Sequence, residues 1–157
     1  MNILLDTTYL MPAIGVSITG VTPRVLRTLR DNGHNIYISE LTLFELSAKG
    51  AKHIVSHGLD PERVRRGITA VAHDEALIKI PLLEGEVIHR SFTLRGALND
   101  YIDCVILSSA ICRCEVIVTE DRLIHRVEDS PLYRRVIEET NPGFKILASS
   151  DLGKLPT

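Results

Sequence analysis

The sequence predicts a three-layer α/β protein in which a parallel sheet of about five strands lies between helices. Short apolar runs without a helical period alternate along the chain with longer segments that have one. Strands separated by helices imply right-handed crossovers, and such crossovers place helices on both faces of a parallel sheet. The chain has 157 residues, a length that suits one domain with a sizeable core.

The first half of the chain contains two predicted strands and three predicted helices. Residues 2–6 are a short apolar run and are predicted to be the first strand. Glycines indicate a loop over residues 13–22, after which Thr22 and Pro23 supply the cap and first position of a helix that ends near Asp31. The other elements of this half are a strand at 34–39, a helix at 41–57 and a helix that begins at Asp60-Pro61 and ends near residue 72.

The second half continues the alternation. Residues 77–82 are the third predicted strand, and residues 84–94 have a helical pattern. Asn99 or Asp100 caps the next helix, which is predicted to end near residue 113. The remaining elements are a strand at 115–119, a short helix at 122–127, a helix from Ser130-Pro131 to about 141 and a short strand at 144–147. We therefore expect one domain over residues 1–148 and a tail over 149–157.

Composition limits the class of protein. Hydrophobic residues make up 45% and charged residues 24% of the chain, and the formal net charge is -2, so the chain as a whole lacks the basic balance of many nucleic-acid binders. Local basic patches matter more than the total charge. No signal peptide or membrane-length apolar segment is expected. Three cysteines, an odd number, argue against a disulfide framework and favour a reducing, cytoplasmic compartment.

Four acidic residues lie where apolar strands end or helices begin: Asp6, Glu45, Asp103 and Asp121. In parallel sheets, ligands bind beyond the carboxyl ends of the strands, and all four acids can reach that edge. A carboxylate beside a buried segment is costly unless its charge is compensated, and converging carboxylates repel one another. Divalent cations relieve both effects, and carboxylates with water and phosphate are the usual ligands of Mg²⁺. The pattern therefore predicts a metal site.

Four short motifs surround these acids in order along the chain. They are Leu5-Asp6-Thr7-Thr8, the segment from Ser39 to Leu46, Asp100-Tyr101-Ile102-Asp103 running into Ser109-Ala110, and Val118-Thr119-Glu120-Asp121. Together they resemble the PIN-domain nucleases, a family related to toxin–antitoxin ribonucleases. The resemblance extends from residue 1 to about 148 and is greatest to small archaeal single-domain members.

The resemblance implies a fold, an activity and a set of site residues. It implies a sheet with the strand order 3-2-1-4-5 and an acidic pocket that binds Mg²⁺ or Mn²⁺ and cleaves RNA. The four family acids correspond to Asp6, Glu45, Asp103 and Asp121. The positions that match supporting roles are Asp100, an extra acid found in part of the family, and Thr119 and Thr7, which would steady the pocket.

Phosphodiester hydrolysis needs an activated water, an in-line attack and stabilisation of the leaving oxygen, and one or two metal ions can supply all three. Asp6 is our hypothesis for the central metal ligand, because the end of a strand is rigid. Asp103 and Asp121, with Asp100 beside them, would complete the metal ligands. Glu45, on a longer side chain, would bind metal through water or orient the nucleophile.

Basic residues near the acids are candidates for binding substrate. Lys49, Arg95 and Arg122 are closest to them in sequence and are predicted to contact phosphate. The chain has only four Tyr, three Phe and no Trp, so recognition is expected to depend on backbone and shape more than on base stacking. His53 and His57 have the spacing of zinc ligands, but without a third ligand they are interpreted as a solvated or partly packed pair.

Each acid also has a structural interpretation. Asp6 and Asp121 could be helix or turn caps, Glu45 could lie on a solvated helix face, and Asp100 and Asp103 could complement a helix dipole. At the level of the whole protein, the alternative is a non-catalytic RNA- or protein-binding module of the same fold. A haloacid-dehalogenase-like phosphatase would need a second Asp where Thr8 stands, and a receiver domain would need a paired acid near residue 6 and a late Lys.

The expected partners follow from this assignment. The substrate is RNA, single-stranded or structured, and no membrane is expected. Many members of the family are toxins paired with an antitoxin, which makes an antitoxin protein a candidate partner. A homodimer is also predicted, from the family and from apolar residues expected at the surface near the first loop: Leu10, Met11, Ile14 and Val16.

Overall fold

A computed structural model describes residues 1–22 and 24–155. All strands belong to one parallel sheet with the order β3-β2-β1-β4-β5, in which β1 and β4 are neighbours at the centre. The strands are β1 (Asn2–Leu5), β2 (Asn35–Ser39), β3 (Leu77–Ile80), β4 (Val116–Val118) and β5 (Lys145–Leu147). The predicted fold class and the strand order 3-2-1-4-5 are therefore confirmed.

Helices fill the crossovers between these strands, and their ends agree with the sequence predictions to within two residues. They are α1 (Arg24–Asp31), α2 (Glu40–His57), α3 (Pro61–His73), α4 (Gly85–Leu94), α5 (Tyr101–Arg113), α6 (Arg122–Arg126) and α7 (Pro131–Thr140). Pro23, predicted at the first position of α1, lies outside the described residues. Within residues 1–22 and 24–155, no helix combines the length and apolar character needed to cross a membrane.

The segment after β1 contains an element that was not predicted. Thr7–Ile14 forms a 3-10 helix that overlaps the start of the predicted loop at 13–22 and ends at Gly15, whose φ of 92° is in the left-handed region. Asp6 caps this helix.

The apolar residues of the same segment are not at the surface. Leu10, Met11 and Ile14 are 2%, 4% and 0% exposed, and they pack in the core of their own chain. The sequence argument that used these residues as dimer surface was therefore wrong, because a helical turn points them inward.

Two apolar clusters lie on opposite faces of the sheet. Because side chains alternate along a strand, Ile3 and Leu5 face one layer and Leu4 faces the other. The first layer contains α1, α2, α3 and the Thr7–Ile14 helix, and the second contains α4, α5, α6 and α7. Helix α5 is buried continuously from Cys104 to Ile111, so it is the central helix of its layer.

The order of the strands places a topological switch point at the centre of the sheet. The chain proceeds from β1 to β2 and β3 on one side, and then crosses to β4 and β5 on the other. Leu5 pairs with Val118, so the residues that follow each strand, Asp6 and Thr119, emerge side by side. In open α/β sheets the crevice at such a point is where ligands bind.

The segment after β5 packs on the first layer. Ser149–Lys154 forms a 3-10 helix, and Leu152 and Leu155 contact the apolar cluster there. The N–H of Ser149 donates to Glu120 at 2.8 Å. The predicted tail thus has described structure up to residue 155, and residues 156 and 157 lie outside the described part.

Candidate functional site

The carboxylate of Asp6 lies at the end of β1 and is nearly buried, with 6% of the residue exposed. Its Oδ1 accepts the N–H of Thr7 at 2.7 Å, and its Oδ2 accepts the hydroxyl of Thr119 at 2.8 Å. Burial raises the pKa of Asp6 above its ordinary value, and the nearby charge of Glu45 adds to the rise, although the hydrogen bond from Thr119 opposes it. The site therefore holds a carboxylate whose negative charge lacks full compensation.

Thr119 connects two of the predicted acids. Its buried hydroxyl donates to Asp6 and accepts the N–H of Asp121 at 3.0 Å. Its own N–H donates to the carbonyl of Leu147 at 2.9 Å, which fixes the backbone at the end of β4. One side chain thus sets the position of Asp6 relative to the segment that carries Asp121.

Asp121 and Asp100 are both helix caps. Asp121 Oδ1 accepts the N–H of Leu123 at 2.6 Å at the start of α6, and Asp100 Oδ1 accepts the N–H of Ile102 at 2.8 Å at the start of α5. Within the described part of the chain, the second oxygen of each carboxylate has no hydrogen-bond partner. Capping therefore fixes both side chains and leaves each with an oxygen that can bind a ligand.

Asp103, in the first turn of α5, is half-buried among the other acids. Its pKa is raised to about 7, first by burial and then by the negative charges of Asp100, Asp121, Asp6 and Glu45. A coulombic effect from each of the other acids requires that all of them lie near Asp103. The five predicted carboxylates therefore lie close enough for their charges to act on Asp103, and Asp100 and Asp103 line one cleft.

Glu45 enters the pocket from the second turn of α2. One of its oxygens accepts the hydroxyl of Thr7, and the other pairs with Lys49 at 2.8 Å. Both oxygens are thus engaged. The interpretation of Glu45 as a residue on a solvated helix face does not fit these contacts.

Lys49 places a positive charge among the acids. Burial lowers its pKa, but its hydrogen bond to Glu45 and the charges of Glu45, Asp6 and Asp103 outweigh this effect and raise the pKa above its ordinary value. Lys49 is therefore protonated at neutral pH. Of the three predicted phosphate contacts among the described residues, it is the one that forms an ion pair with a predicted acid.

The other two predicted substrate contacts are exposed arginines. Arg95 is exposed and donates to the carbonyl of Leu98 at 2.8 Å, so its guanidinium also supports the loop that leads into α5. Arg122 is exposed at the start of α6, next to Asp121. Sequence reasoning missed Arg126, which lines a cleft of about 150 Å³ together with Asp100 and Asp103. The sequence feature that could have identified Arg126 is its position one helical turn after Arg122.

Two further acids in the motifs have other partners. Glu40 accepts the N–H of Leu82 at 3.0 Å and holds the segment after β3. Glu120 accepts the hydroxyl of Tyr9 and the N–H of Ser149. These contacts explain why neither acid belongs to the pocket, although both are adjacent in sequence to residues near it.

The donor set suits a hard divalent cation, because carboxylate oxygens are the ligands that Mg²⁺ and Mn²⁺ favour. As the side chains stand, no group of three or more His, Cys, Asp and Glu among the described residues could hold a metal ion. Mg²⁺ commonly binds through one or two carboxylates and keeps several waters. Two of the carboxylates here would be enough for a site of that kind. A site with more protein ligands would require a carboxylate to rotate inward.

A solved structure with a similar fold is that of VapBC2 from Rickettsia felis bound to a DNA fragment from its promoter. The TM-score is 0.65 at 19% sequence identity, and the match covers 94% of this chain and 98% of the other. At this identity the likeness establishes a shared fold, which here is the PIN-like three-layer arrangement. No protein-family model matches the sequence, and no curated protein matches it.

Proposed function

We propose that this protein is a metal-dependent endoribonuclease that hydrolyses phosphodiester bonds of RNA. One observation carries the proposal: the Thr119 hydroxyl binds the buried carboxylate of Asp6 and also accepts the N–H of Asp121. Two acids are thereby held at the switch point between β1 and β4, where ligands bind in such sheets. RNA is the proposed substrate because the motifs around these acids resemble those of PIN-domain nucleases.

Asp6, Asp103 and Asp121 would hold Mg²⁺ or Mn²⁺ once a carboxylate has rotated inward, with Asp100 beside them. A bound divalent ion supplies an activated water and stabilises charge on the leaving oxygen of a phosphodiester. The raised pKa values of Asp6 and Asp103 support this assignment, because a cation would relieve the burial and repulsion that cause them.

Glu45 is proposed to orient the attacking water. Both of its oxygens are engaged, one by the Thr7 hydroxyl and one by Lys49. A substrate phosphate that attracts Lys49 would free one carboxylate oxygen to accept a hydrogen bond from water. Arrival of the substrate would then prepare the residue that positions the nucleophile.

Lys49, Arg95 and Arg122 are the proposed phosphate contacts, and Arg126 is added to them by its place beside Asp100. An antitoxin protein is a proposed partner, by analogy with the family. A homodimer is proposed as well, through apolar surface other than the first loop. The exposed large apolar side chains that could form such contacts include Phe44, Leu83, Phe92 and Leu123.

The test is cleavage of single-stranded and structured RNA and DNA in Mn²⁺, Mg²⁺ or EDTA. We compare the wild type with Asp6→Asn and Asp103→Asn, and use Asp129→Asn as a control for an exposed acid outside the pocket. We expect cleavage of RNA that requires the metal, disappears in both pocket variants and persists in the control. Full metal-dependent cleavage by Asp6→Asn would remove Asp6 from the site, and cleavage of DNA alone would change the substrate.

The alternative is a non-catalytic RNA- or protein-binding module of the same fold. The observation that favours it is the pair of contacts on Glu45, since a carboxylate held by Lys49 and Thr7 is not free to position water. Folded protein that binds RNA but leaves it intact with every metal would support this alternative.

A further inference from the structure

A second feature lies beside the acid pocket, between α2 and the segment that follows β1. It is a groove of about 330 Å³, lined by Thr8, Met11, Ile18, Lys49, Lys52, His53 and His57. We refer to these residues as the α2 groove. Among the described residues that line it, four have cationic or imidazole side chains and none is acidic. The groove therefore carries two lysines, of which Lys49 is paired with Glu45, and no acid in its own lining, on a chain whose net charge is -2.

The α2 groove is continuous with the acids. Thr8 donates its hydroxyl to Asp6 Oδ2 at 3.4 Å, and Lys49 pairs with Glu45 at 2.8 Å. Two of the residues that line the groove thus contact the two acids that enter the pocket from β1 and α2. A chain of phosphates that reaches the acids could extend directly into the groove.

The groove follows one face of α2. Glu45, Lys49, His53 and His57 recur at intervals of four residues, which places successive members next to one another on the helix surface. The helical rise makes the distance from Glu45 to His57 about 18 Å. Charges recur about every 3.4 Å along each strand of a nucleic-acid duplex and further apart in an extended strand, so this length spans several phosphates.

The far end of the groove combines charge with flat and apolar surface. The rings of His53 and His57 have centroids 4.8 Å apart and planes inclined by 31°. Met11 and Ile18 supply apolar wall next to them. Unstacked RNA bases stack on aromatic side chains, including His. This mixture suits a strand with phosphates and bases better than an isolated anion.

We propose that the α2 groove binds a single-stranded RNA segment on one side of the cleaved bond, with Lys49 and Lys52 on its phosphates. The inference rests on the proposed function, because the groove begins at the acids. Its volume is at the lower end of the range for small-ligand pockets, which is too small to enclose both strands of a duplex, so the rest of the single strand would lie along the exposed face of α2.

The test measures binding without cleavage. A fluorescein-labelled oligouridine of twelve residues is titrated with the Asp103→Asn protein in EDTA, so that the RNA remains intact, at several salt concentrations. The groove variant Lys52→Gln/His57→Gln is compared with the control Lys145→Gln/His89→Gln, whose exposed residues lie at the opposite edge of the sheet and on α4. Lys49 is left intact because it also pairs with Glu45. Melting curves verify that both variants are folded.

We expect the groove variant to bind the oligouridine about tenfold more weakly, and its salt slope to fall by about 0.7 for each lost phosphate contact. The control variant should bind like its parent, and a double-stranded RNA of the same length should bind more weakly than the single strand. Three results would overturn the proposal. The groove variant could bind the oligouridine as tightly as its parent, the control variant could lose as much affinity as the groove variant, or duplex RNA could bind in a way that depends on the groove residues. Because the binding test involves no cleavage, it is independent of the proposed activity. If the wild type never cleaves RNA but binding depends on the groove residues, the nuclease proposal is rejected and the proposal for the α2 groove stands.

Discussion

At the scale of single residues, the structural and the functional interpretations of the acids are compatible. Asp6, Asp100 and Asp121 each use one carboxylate oxygen to cap the following helix. A capping bond fixes the rotamer, and a fixed rotamer is what a preorganised site requires. The caps are therefore compatible with the proposed role of these acids as ligands, because each cap holds its side chain in one rotamer.

Asp103 differs from these acids because its raised pKa affects stability. The folded protein, with a pKa of about 7 against an ordinary 3.8, binds a proton that the unfolded chain has already released. Stability of the metal-free protein should therefore fall as the pH rises from about 4 to about 7, and then level off. Asp103→Asn should flatten this fall and be more stable than the wild type at pH 8 in EDTA, as measured by urea denaturation.

The control for this prediction is Asp129→Asn, which changes an exposed acid and should keep the wild-type dependence on pH. Part of the slope should persist in Asp103→Asn, because the pKa of buried Asp6 is raised as well. A wild-type protein whose stability rises between pH 5 and 8 in EDTA would contradict the crowding of acids in the pocket.

Thr119 is the residue whose loss should disturb the most contacts. Thr119→Val keeps the shape but removes the hydroxyl that binds Asp6 and Asp121, so the unfolding free energy should drop by about 1–3 kcal/mol. The rate of RNA cleavage should fall by more than the loss of folded protein explains, because both acids lose the side chain that holds them. Thr119→Ser should recover most of both quantities. If Thr119→Val cleaves RNA normally, the bridge has no role in positioning.

At the scale of elements, the 3-10 helix Thr7–Ile14 determines how the pocket is supported. It begins directly after Asp6, and α3 packs against its end so closely that a Cβ on Gly67 would lie 2.3 Å from the carbonyl oxygen of Ala13. Only glycine permits this approach, because the obstructing atoms belong to the backbone and cannot rotate away. The position of Asp6 is thus coupled to the packing of α3.

Gly67→Ala should destabilise the protein by about 1–3 kcal/mol through overpacking, although alanine favours helix over glycine by about 1 kcal/mol. The matched control is Gly85→Ala in α4, where a new Cβ would meet no atom within 4 Å. Its unfolding free energy should stay the same or rise by up to about 1 kcal/mol, because there the helix preference of alanine acts without a clash. Chemical denaturation measures the unfolding free energy of both variants. Equal changes in that free energy for the two variants would refute the close contact at Gly67.

At the scale of the whole molecule, the pocket depends on four separate parts of the chain. The central strands β1 and β4 supply Asp6 and Asp121, and helices α2 and α5 supply Glu45 and Asp103. These helices lie on opposite faces of the sheet. The acids therefore come together only when both layers have packed, and packing them together brings like charges into proximity.

A divalent ion should offset that repulsion and stabilise the fold. Mg²⁺ or Mn²⁺ at about 100 times its Kd should raise the melting temperature by roughly 5–10 °C. Asp6→Asn should melt at or above the wild-type temperature in EDTA, since a buried charge is removed, and should show little response to the ion. Scanning calorimetry with Asp129→Asn as control checks both results, and an ion response in Asp6→Asn equal to that of the wild type would exclude Asp6 as a ligand.

Much of this molecule was predictable from local patterns. The strand at Val116–Val118 and the helices that start at Pro61 and Pro131 were recognisable because apolar runs and cap-proline pairs act within a few residues. The Thr7–Ile14 helix was not predicted, because it is short and contains Pro12, and only its packing in the first layer shows that Leu10 and Met11 face inward.

The sequence by itself determined the alternation of strands and helices and the acids at their ends, since both depend on the order of neighbouring residues. Tertiary structure alone decided which groups share the pocket: that Thr119 binds Asp6, that Lys49 occupies one oxygen of Glu45, and that Glu120 binds Tyr9 instead. It also decided that His53 and His57 line a groove that begins at the acids. The reason is that hydrogen bonds and charge coupling depend on distances between residues far apart in the chain, which only the packed sheet and its two layers define.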